Sequence, residues 1–185
     1  MKSKKQKIAA KRAAPRAVKT SSNSGSEKII REQLRQLLDG GHAHLAWKEA
    51  LAGFPPDLQG TKPHGSPHTP WQLLEHMRIA LWDILEFSRD PKHVSPQFPE
   101  GYWPPADTPP SPDAWEKSSR ALGRHLEDLK KLVSDSKTNL FERIAHGDGQ
   151  TILREALVAA DHNAYHLGQL VLLRRMAEGK ESRSQ

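Results

Sequence analysis

The sequence DHNAYHLGQ, residues 161–169, lies in the middle of a helical pattern that runs from Ile152 to about Glu178. It places His162 and His166 four residues apart. An α-helix presents residues with this spacing on one face, with their Cβ atoms about 5–6 Å apart. Two imidazoles arranged in this way can share one metal ion. The stretch therefore predicts a long helix that carries part of a metal site.

Three further helical patterns precede this one, and connections rich in proline and glycine separate them. The first is predicted over about 27–52, starting from a capping box at 24–27, with a kink or loosened turn at Gly40-Gly41. No segment of useful length alternates with a period of two. The sequence therefore predicts an all-α fold, most simply a four-helix bundle.

The second and third patterns each open with a cap residue followed by proline, the favoured order at a helix N-terminus. Their predicted bounds are Pro70 to about Ser88, with Thr69 and Gln72 as a capping box, and Pro112 to about Asp135, with Ser111 as N-cap. For the last helix, Thr151 is the predicted N-cap and Gly179 stands where a C′ glycine is expected.

Residues 89–111 form a connection between the second and third helices that is too long for a tight antiparallel turn. It is rich in proline and carries Phe98, Tyr102 and Trp103. Prolines reduce the conformational entropy of an ordered loop, and aromatic side chains anchor it to the bundle. We expect the connection to cross one end of the bundle, either as a simple strap or with these aromatics as pocket or lid residues.

The net charge of +6 belongs to the N-terminus. Residues 1–25 hold eight of the 28 Lys and Arg residues and none of the 22 acidic residues, which leaves 20 basic against 22 acidic residues. We interpret this segment as a disordered basic tail that either aids solubility or binds polyanions weakly. The expected organisation is therefore a tail over 1–25, a bundle over 26–179 and a C-terminal tail over 180–185.

The composition excludes several kinds of protein. The chain has no cysteine, so disulfides, Fe–S clusters and thiolate zinc sites are absent. No apolar run approaches the roughly 18–20 residues of a membrane span, and the N-terminus lacks the apolar core of a signal peptide. We therefore expect a cytoplasmic protein without membrane association. Motifs of serine hydrolases, HExxH metalloproteases and dinucleotide-binding proteins are missing, which disfavours those reaction classes.

A third histidine completes the candidate metal site. His76 borders the apolar face of the second helix, and metal sites in bundles are built from side chains on facing helices. With His162 and His166 it offers three neutral imidazoles, which suit Zn, Ni or Fe(II) and leave positions open for water or substrate. His42 and His125 are weaker candidates for a fourth ligand. The alternative is that these are ordinary histidines bonded to water or core carbonyls.

Other residues near the pair are candidates to support it, because ligating imidazoles usually give their outer N–H to an oxygen. Gln169, Tyr165 and Asp161 are the candidates for this role. Glu155, two turns before His162, is a candidate general base or hydrogen-bond partner, with a plain core hydrogen bond or ion pair as the alternative. The remaining loop histidines are interpreted as exposed or as part of a turn: His64, His68, His93 and His146.

The sequence WQLLEH, residues 71–76, together with residues 151–169, resembles the DinB-like (DinB/YfiT) superfamily, and the resemblance covers about residues 27–178. It implies a four-helix bundle that binds a divalent metal through His76, His162 and His166, with zinc and nickel prominent among the metals and iron or manganese as further options. Characterised relatives include thiol-dependent S-transferases and a thiol-dependent maleylpyruvate isomerase. Bundles of this family often pair, so homodimerisation is a further implication.

Residues and resemblance together favour a metal-dependent enzyme. We expect the ion to activate a low-molecular-weight thiol or a water for attack on a small electrophilic substrate, in an S-transferase-like or hydrolase-like reaction. The alternative is a metal- or ligand-binding bundle without turnover, acting as a sensor or an interaction module. Nucleic-acid binding is expected only as a weak property of the basic tail.

Overall fold

The computed structural model describes residues 23–63 and 65–181, and its regular elements are helical. The elements within these ranges are α1 (Asn23–Asp39), α2 (Trp47–Leu51), α3 (Pro56–Gln59), α4 (Pro70–Arg89), α5 (Ala114–Ser134) and α6 (Ile152–Glu181), with a 3₁₀ turn at Glu100–Tyr102. The same residues contain no strand, only one isolated bridge between Arg143 and Thr151. The four long helices confirm the predicted all-α fold.

The start of α4 follows the sequence prediction. The backbone N–H of Gln72 donates to Oγ1 of Thr69 at 3.2 Å, and Oε1 of Gln72 accepts the backbone N–H of Thr69 at 3.1 Å. Pro70 is the first helical residue. The Thr69 hydroxyl also donates to the carbonyl of Asp107 at 2.7 Å, so the long connection after α4 is attached to the beginning of that helix.

The prediction of a single helix over about 27–52, with a kink or loosened turn at Gly40-Gly41, is wrong in the middle of that range. Gly40 and Gly41 have φ values of 69° and 81°, in the left-handed region that glycine adopts without steric cost. Two successive residues in this conformation cannot continue a right-handed helix. α1 therefore ends at Asp39, and the chain resumes helical structure only at Trp47.

Three helix ends differ from the predictions. α5 begins at Ala114 instead of Pro112, because the Ser111 hydroxyl donates to the Asp113 carboxylate at 2.7 Å instead of capping the helix. α6 continues through Gly179 to Glu181, so this glycine does not end it. α1 begins at Asn23, inside the segment predicted as disordered; the rest of that tail, residues 1–22, and residues 182–185 lie outside the described residues.

α4 is the central helix of the bundle, because it packs against both α5 and α6. Leucines supply most of the fully buried core between these three helices: Leu74, Leu81, Leu85, Leu122, Leu129 and Leu170. Burying each such side chain contributes roughly 1.5–3 kcal/mol. None of the helices in the described ranges combines the length and hydropathy that a membrane crossing needs.

Arg31 of α1 joins that helix to the end of α5. Its guanidinium donates to the backbone carbonyls of Val133 at 2.8 Å, Asp135 at 2.9 Å and Thr138 at 2.6 Å, and it pairs with Glu27. The last carbonyls of a helix have no partner within the helix. This buried arginine therefore supplies donors to the C-terminus of α5 that would otherwise be missing.

We expect Arg31→Met to lower the free energy of unfolding by about 2–3 kcal/mol, because it leaves carbonyls at the end of α5 without their charged donor. Chemical denaturation followed by circular dichroism measures the change. The matched control is Arg35→Met, one turn further along α1, because Arg35 makes only exposed ion pairs with Glu32 and Asp39. Equal denaturation midpoints for the two variants would contradict the role given to Arg31.

Candidate metal centre

Three histidines from α4 and α6 meet inside the bundle. His162 and His166 lie on one face of α6, and His76 lies opposite them on α4. One ring nitrogen from each histidine lies within 4.8 Å of the other two, and the Nε2 atoms of His76 and His162 are 3.0 Å apart. The fold thus brings together the three side chains that the sequence analysis selected as metal ligands.

Oxygen atoms hold the outer ring nitrogens of two of these histidines. Nδ1 of His76 donates to the backbone carbonyl of Tyr102 at 2.9 Å, and Nδ1 of His166 donates to Oε1 of Gln169 at 2.8 Å. Because these oxygens accept hydrogen bonds, the hydrogen-bond pattern assigns the proton of each neutral ring to Nδ1 and a free lone pair to Nε2. This is the tautomer in which an imidazole binds a metal through Nε2.

Burial keeps the three imidazoles neutral. Burial, with smaller contributions from the neighbouring rings of His166 and His76, lowers the pKa of His162 to about 4. Burial also lowers the pKa of His76 and of His166, although hydrogen bonds to the Tyr102 carbonyl and to Gln169 oppose these shifts. A neutral imidazole is the form that binds a metal, so no proton has to leave these rings at neutral pH.

The donor set fits a divalent ion. Two nitrogen ligands of a tetrahedral zinc ion lie about 3.3 Å apart when each bond is about 2.0–2.1 Å long. The 3.0 Å between the Nε2 atoms of His76 and His162 is close to this spacing. The three residues are also of the type that zinc, nickel and iron(II) accept as ligands.

No fourth protein ligand joins the three histidines among the residues that the structure describes. His42, a weaker candidate, is exposed in the segment between α1 and α2. His125, the other candidate, lies in a groove with Arg78 and Arg124. Three protein ligands leave coordination positions for other molecules, as in catalytic zinc sites.

The four residues predicted to support the site differ in their exposure and in their distance from the histidines. Gln169 is bonded to His166, as described above. Tyr165 is 63% exposed and packs edge-on against the His166 ring, at 4.8 Å between centroids. Asp161 is exposed. Glu155 is buried, but its carboxylate pairs with the neighbouring Arg154, and two helical turns, a rise of about 10 Å, separate it from His162.

The long connection covers His76 with an aromatic ring. The rings of Trp103 and His76 are stacked, with centroids 3.9 Å apart and an angle of 1° between their planes. Tyr102 supplies the carbonyl that holds the same histidine. Phe98, the third aromatic predicted as a pocket or lid residue, is 79% exposed and packs edge-on against Tyr102 instead.

Two histidines predicted as exposed loop residues contact other parts of the bundle in the structure. His68 stacks on Trp103, with centroids 4.0 Å apart, and burial lowers its pKa, with a smaller contribution from Lys62. The His93 side chain is also buried and its Nε2 lies 2.7 Å from Oδ1 of Asp83. The interpretation of both as exposed was therefore wrong, since no local sequence pattern signals how a loop folds back onto a helix or onto another loop. His64 lies outside the described residues.

The family model of the DinB superfamily matches residues 31–170, a segment that contains all three clustered histidines. The chain belongs to the DinB superfamily. Comparison with curated proteins and with solved structures gave no significant match. The family match confirms the resemblance inferred from residues 71–76 and 151–169.

This DinB-superfamily chain has a cleft of about 260 Å³ that none of the three clustered histidines lines, but that two residues next to the cluster do. Gln169, the partner of His166, and His68, the neighbour of Trp103, are part of its lining. The apolar part of the lining is formed by Leu73, Leu172, Leu173 and Met176. No charged side chain lines the cleft among the described residues. The cleft therefore suits a small uncharged molecule or an uncharged group of a larger one.

We expect the cleft to bind benzyl alcohol at least about tenfold more tightly than benzoate, because a carboxylate would lose water there without gaining a charged partner. Ligand-observed NMR measures both affinities. The chelator-treated protein is used, so that no metal attracts the carboxylate.

A variant pair tests whether binding occurs in this cleft. Met176→Glu puts a carboxylate into the lining and should weaken benzyl alcohol binding. Leu157→Glu, at an exposed position of α6 outside the lining, should leave it unchanged. Equal affinities for the two ligands, or equal effects of the two variants, would contradict the assignment.

Proposed function

We propose that this protein is a divalent-metal-dependent enzyme whose ion is held by His76, His162 and His166. One observation carries the proposal: a ring nitrogen of each of the three imidazoles lies within 4.8 Å of the other two, and two of the rings have their Nδ1 atoms bonded to oxygen. Family membership supports it. A divalent ion bound here supplies a Lewis acid that lowers the pKa of a water or thiol, so that a nucleophile forms near neutral pH.

An enzyme explains the arrangement better than a metal store or sensor does. Structural zinc sites have four protein ligands, whereas catalytic sites have three and keep a position open. The described residues would supply three ligands, and the cleft lined by Gln169 and His68 would offer space for a substrate. Zn²⁺ is our first choice of metal because it accepts three imidazoles in a tetrahedral site, and Ni, Fe and Mn are the alternatives.

The residues around the histidines would define how the substrate binds. The apolar lining of Leu73, Leu172 and Met176 would hold the part of the substrate that does not react. Trp103 would exclude water from the face of His76 on which it stacks. The nucleophile would attack a small electrophilic carbon, either as the sulfur of a low-molecular-weight thiol or as the oxygen of water. These two reactions, S-transfer and hydrolysis, are both retained.

We expect the wild-type protein to contain about one equivalent of divalent metal and His162→Ala to lose it, because two imidazoles hold an ion much less tightly than three. Elemental analysis of tag-free protein measures the content. His42→Ala is the matched control, because this exposed histidine lies outside the cluster. Wild-type protein without metal after reconstitution with Zn²⁺, Ni²⁺, Mn²⁺ and anaerobic Fe²⁺ would refute the metal site.

We expect metal-loaded protein to turn over small electrophiles, and the same protein treated with chelator to be inactive. A screen with and without thiol cosubstrates, followed by mass spectrometry of the products, measures the activity. Products that appear only with a thiol would establish S-transfer, and products formed with water alone would establish hydrolysis. Stoichiometric metal without turnover of any substrate would favour the binding module over the enzyme.

A further inference from the structure

We propose that Asp83 is a positioning residue that sets the orientation of His76 through Tyr102. The effect of Asp83 on metal affinity rests on the function proposed above. Asp83 is a buried carboxylate on α4. Its Oδ2 accepts the Tyr102 hydroxyl at 2.6 Å, and its Oδ1 lies 2.7 Å from Nε2 of His93. Both oxygens of this carboxylate thus bond to residues of the connection that follows α4.

Tyr102 makes two contacts with the same helix. Its hydroxyl bonds to Asp83, and its backbone carbonyl accepts Nδ1 of His76 at 2.9 Å. Asp83 follows His76 by seven residues, so the two contacts are about two turns, or 10 Å, apart along one rigid element. A tyrosine held at both points has little freedom to move its carbonyl along the helix. The hydroxyl contact therefore fixes the position of the oxygen that orients the imidazole.

Trp103, the residue after Tyr102, further restricts the orientation of the His76 ring. Trp103 stacks on the His76 ring within 1° of parallel, so the carbonyl defines the rotation of the ring and the indole defines its plane. His93 occupies the other oxygen of Asp83, and its ring packs edge-on against Trp82 of α4. One carboxylate thus attaches the connection to α4 both near its beginning and at the 3₁₀ turn beside His76.

This arrangement explains why a carboxylate is buried here. Burying an ionised group costs free energy unless several hydrogen bonds compensate for it. An apolar residue at position 83 would avoid that cost, but it would leave the Tyr102 hydroxyl and His93 without their acceptor. Partners that hold a ligating histidine from outside typically contribute 10–100-fold to metal affinity. Asp83 bonds to Tyr102, which in turn bonds to His76, so Asp83 acts on the histidine through Tyr102.

Removal of one oxygen atom tests the proposal. Tyr102→Phe keeps the ring and the backbone carbonyl but loses the hydroxyl's bonds to Asp83 and to Ser95, and it should weaken Zn²⁺ binding about tenfold in competition with a chromophoric chelator. It should also change the visible absorption of the Co²⁺-substituted protein, because the His76 ring is no longer fixed. The chain contains two tyrosines, and Tyr165→Phe is the matched control: it lies beside His166, and no hydrogen bond of its hydroxyl appears among the described residues.

Variants of Asp83 separate positioning from stability. Asp83→Ala should weaken Zn²⁺ binding as Tyr102→Phe does, whereas Asp83→Asn should retain most of the affinity, because its amide oxygen still accepts the Tyr102 hydroxyl. A lower unfolding temperature with unchanged Zn²⁺ affinity and an unchanged Co²⁺ spectrum in Tyr102→Phe would overturn the proposal. Equal losses in Tyr102→Phe and Tyr165→Phe would also overturn it.

A measurement without metal distinguishes this proposal from the proposed function. In the metal-free protein, ¹⁵N NMR of the His76 imidazole should report a proton on Nδ1 in the wild type and a mixture of tautomers in Tyr102→Phe. A wild-type protein that binds no metal but shows this change would refute the enzyme and retain the positioning role. An identical tautomer in both proteins would refute the positioning role, whatever the metal content.

Discussion

The candidate site depends on the packing of α4 against α6, because one ligand comes from the first helix and two from the second. The 3.0 Å between Nε2 of His76 and Nε2 of His162 requires the two helices to approach closely. Small side chains on α6 allow this: Ala156 and Ala159 are buried in the two turns before His162. Larger residues at these positions would increase the distance between the helix axes and separate the imidazoles.

The connection after α4 adds a second constraint, which concerns orientation and not distance. Helix packing places the Cα atoms of the three histidines, but each ring can still rotate about its side-chain bonds. Tyr102 and Trp103 limit the rotation of His76, and Gln169 limits that of His166. Two of these three residues belong to the connection after α4, whose 3₁₀ turn ends at Tyr102 and thereby places a backbone carbonyl against His76.

The sequence predicted what local rules determine. The spacing of His162 and His166 on one helix face and the capping box at Thr69 depend on neighbouring residues alone, and so both could be recognised. The end of α1 at Gly40 was missed, because glycine allows a helix to continue as well as to stop. The contacts of His68 and His93 were missed for another reason: they depend on how loops fold back onto α4, which no local periodicity encodes.

The hydrogen bonds of the outer ring nitrogens leave the centre of the histidine cluster with more acceptors than donors. Because Nδ1 of His76 and of His166 give their protons to Tyr102 and Gln169, both rings turn lone pairs towards the centre. A proton on Nε2 of His162 can satisfy His76, but His166 brings a further acceptor and no proton. Additional protons are disfavoured, since burial lowers the pKa of all three rings. A cation at the centre would satisfy the lone pairs of His76 and His166, and also that of His162 once this ring carries its proton on Nδ1, so the cluster is more favourable as a metal site than as part of a hydrophobic core.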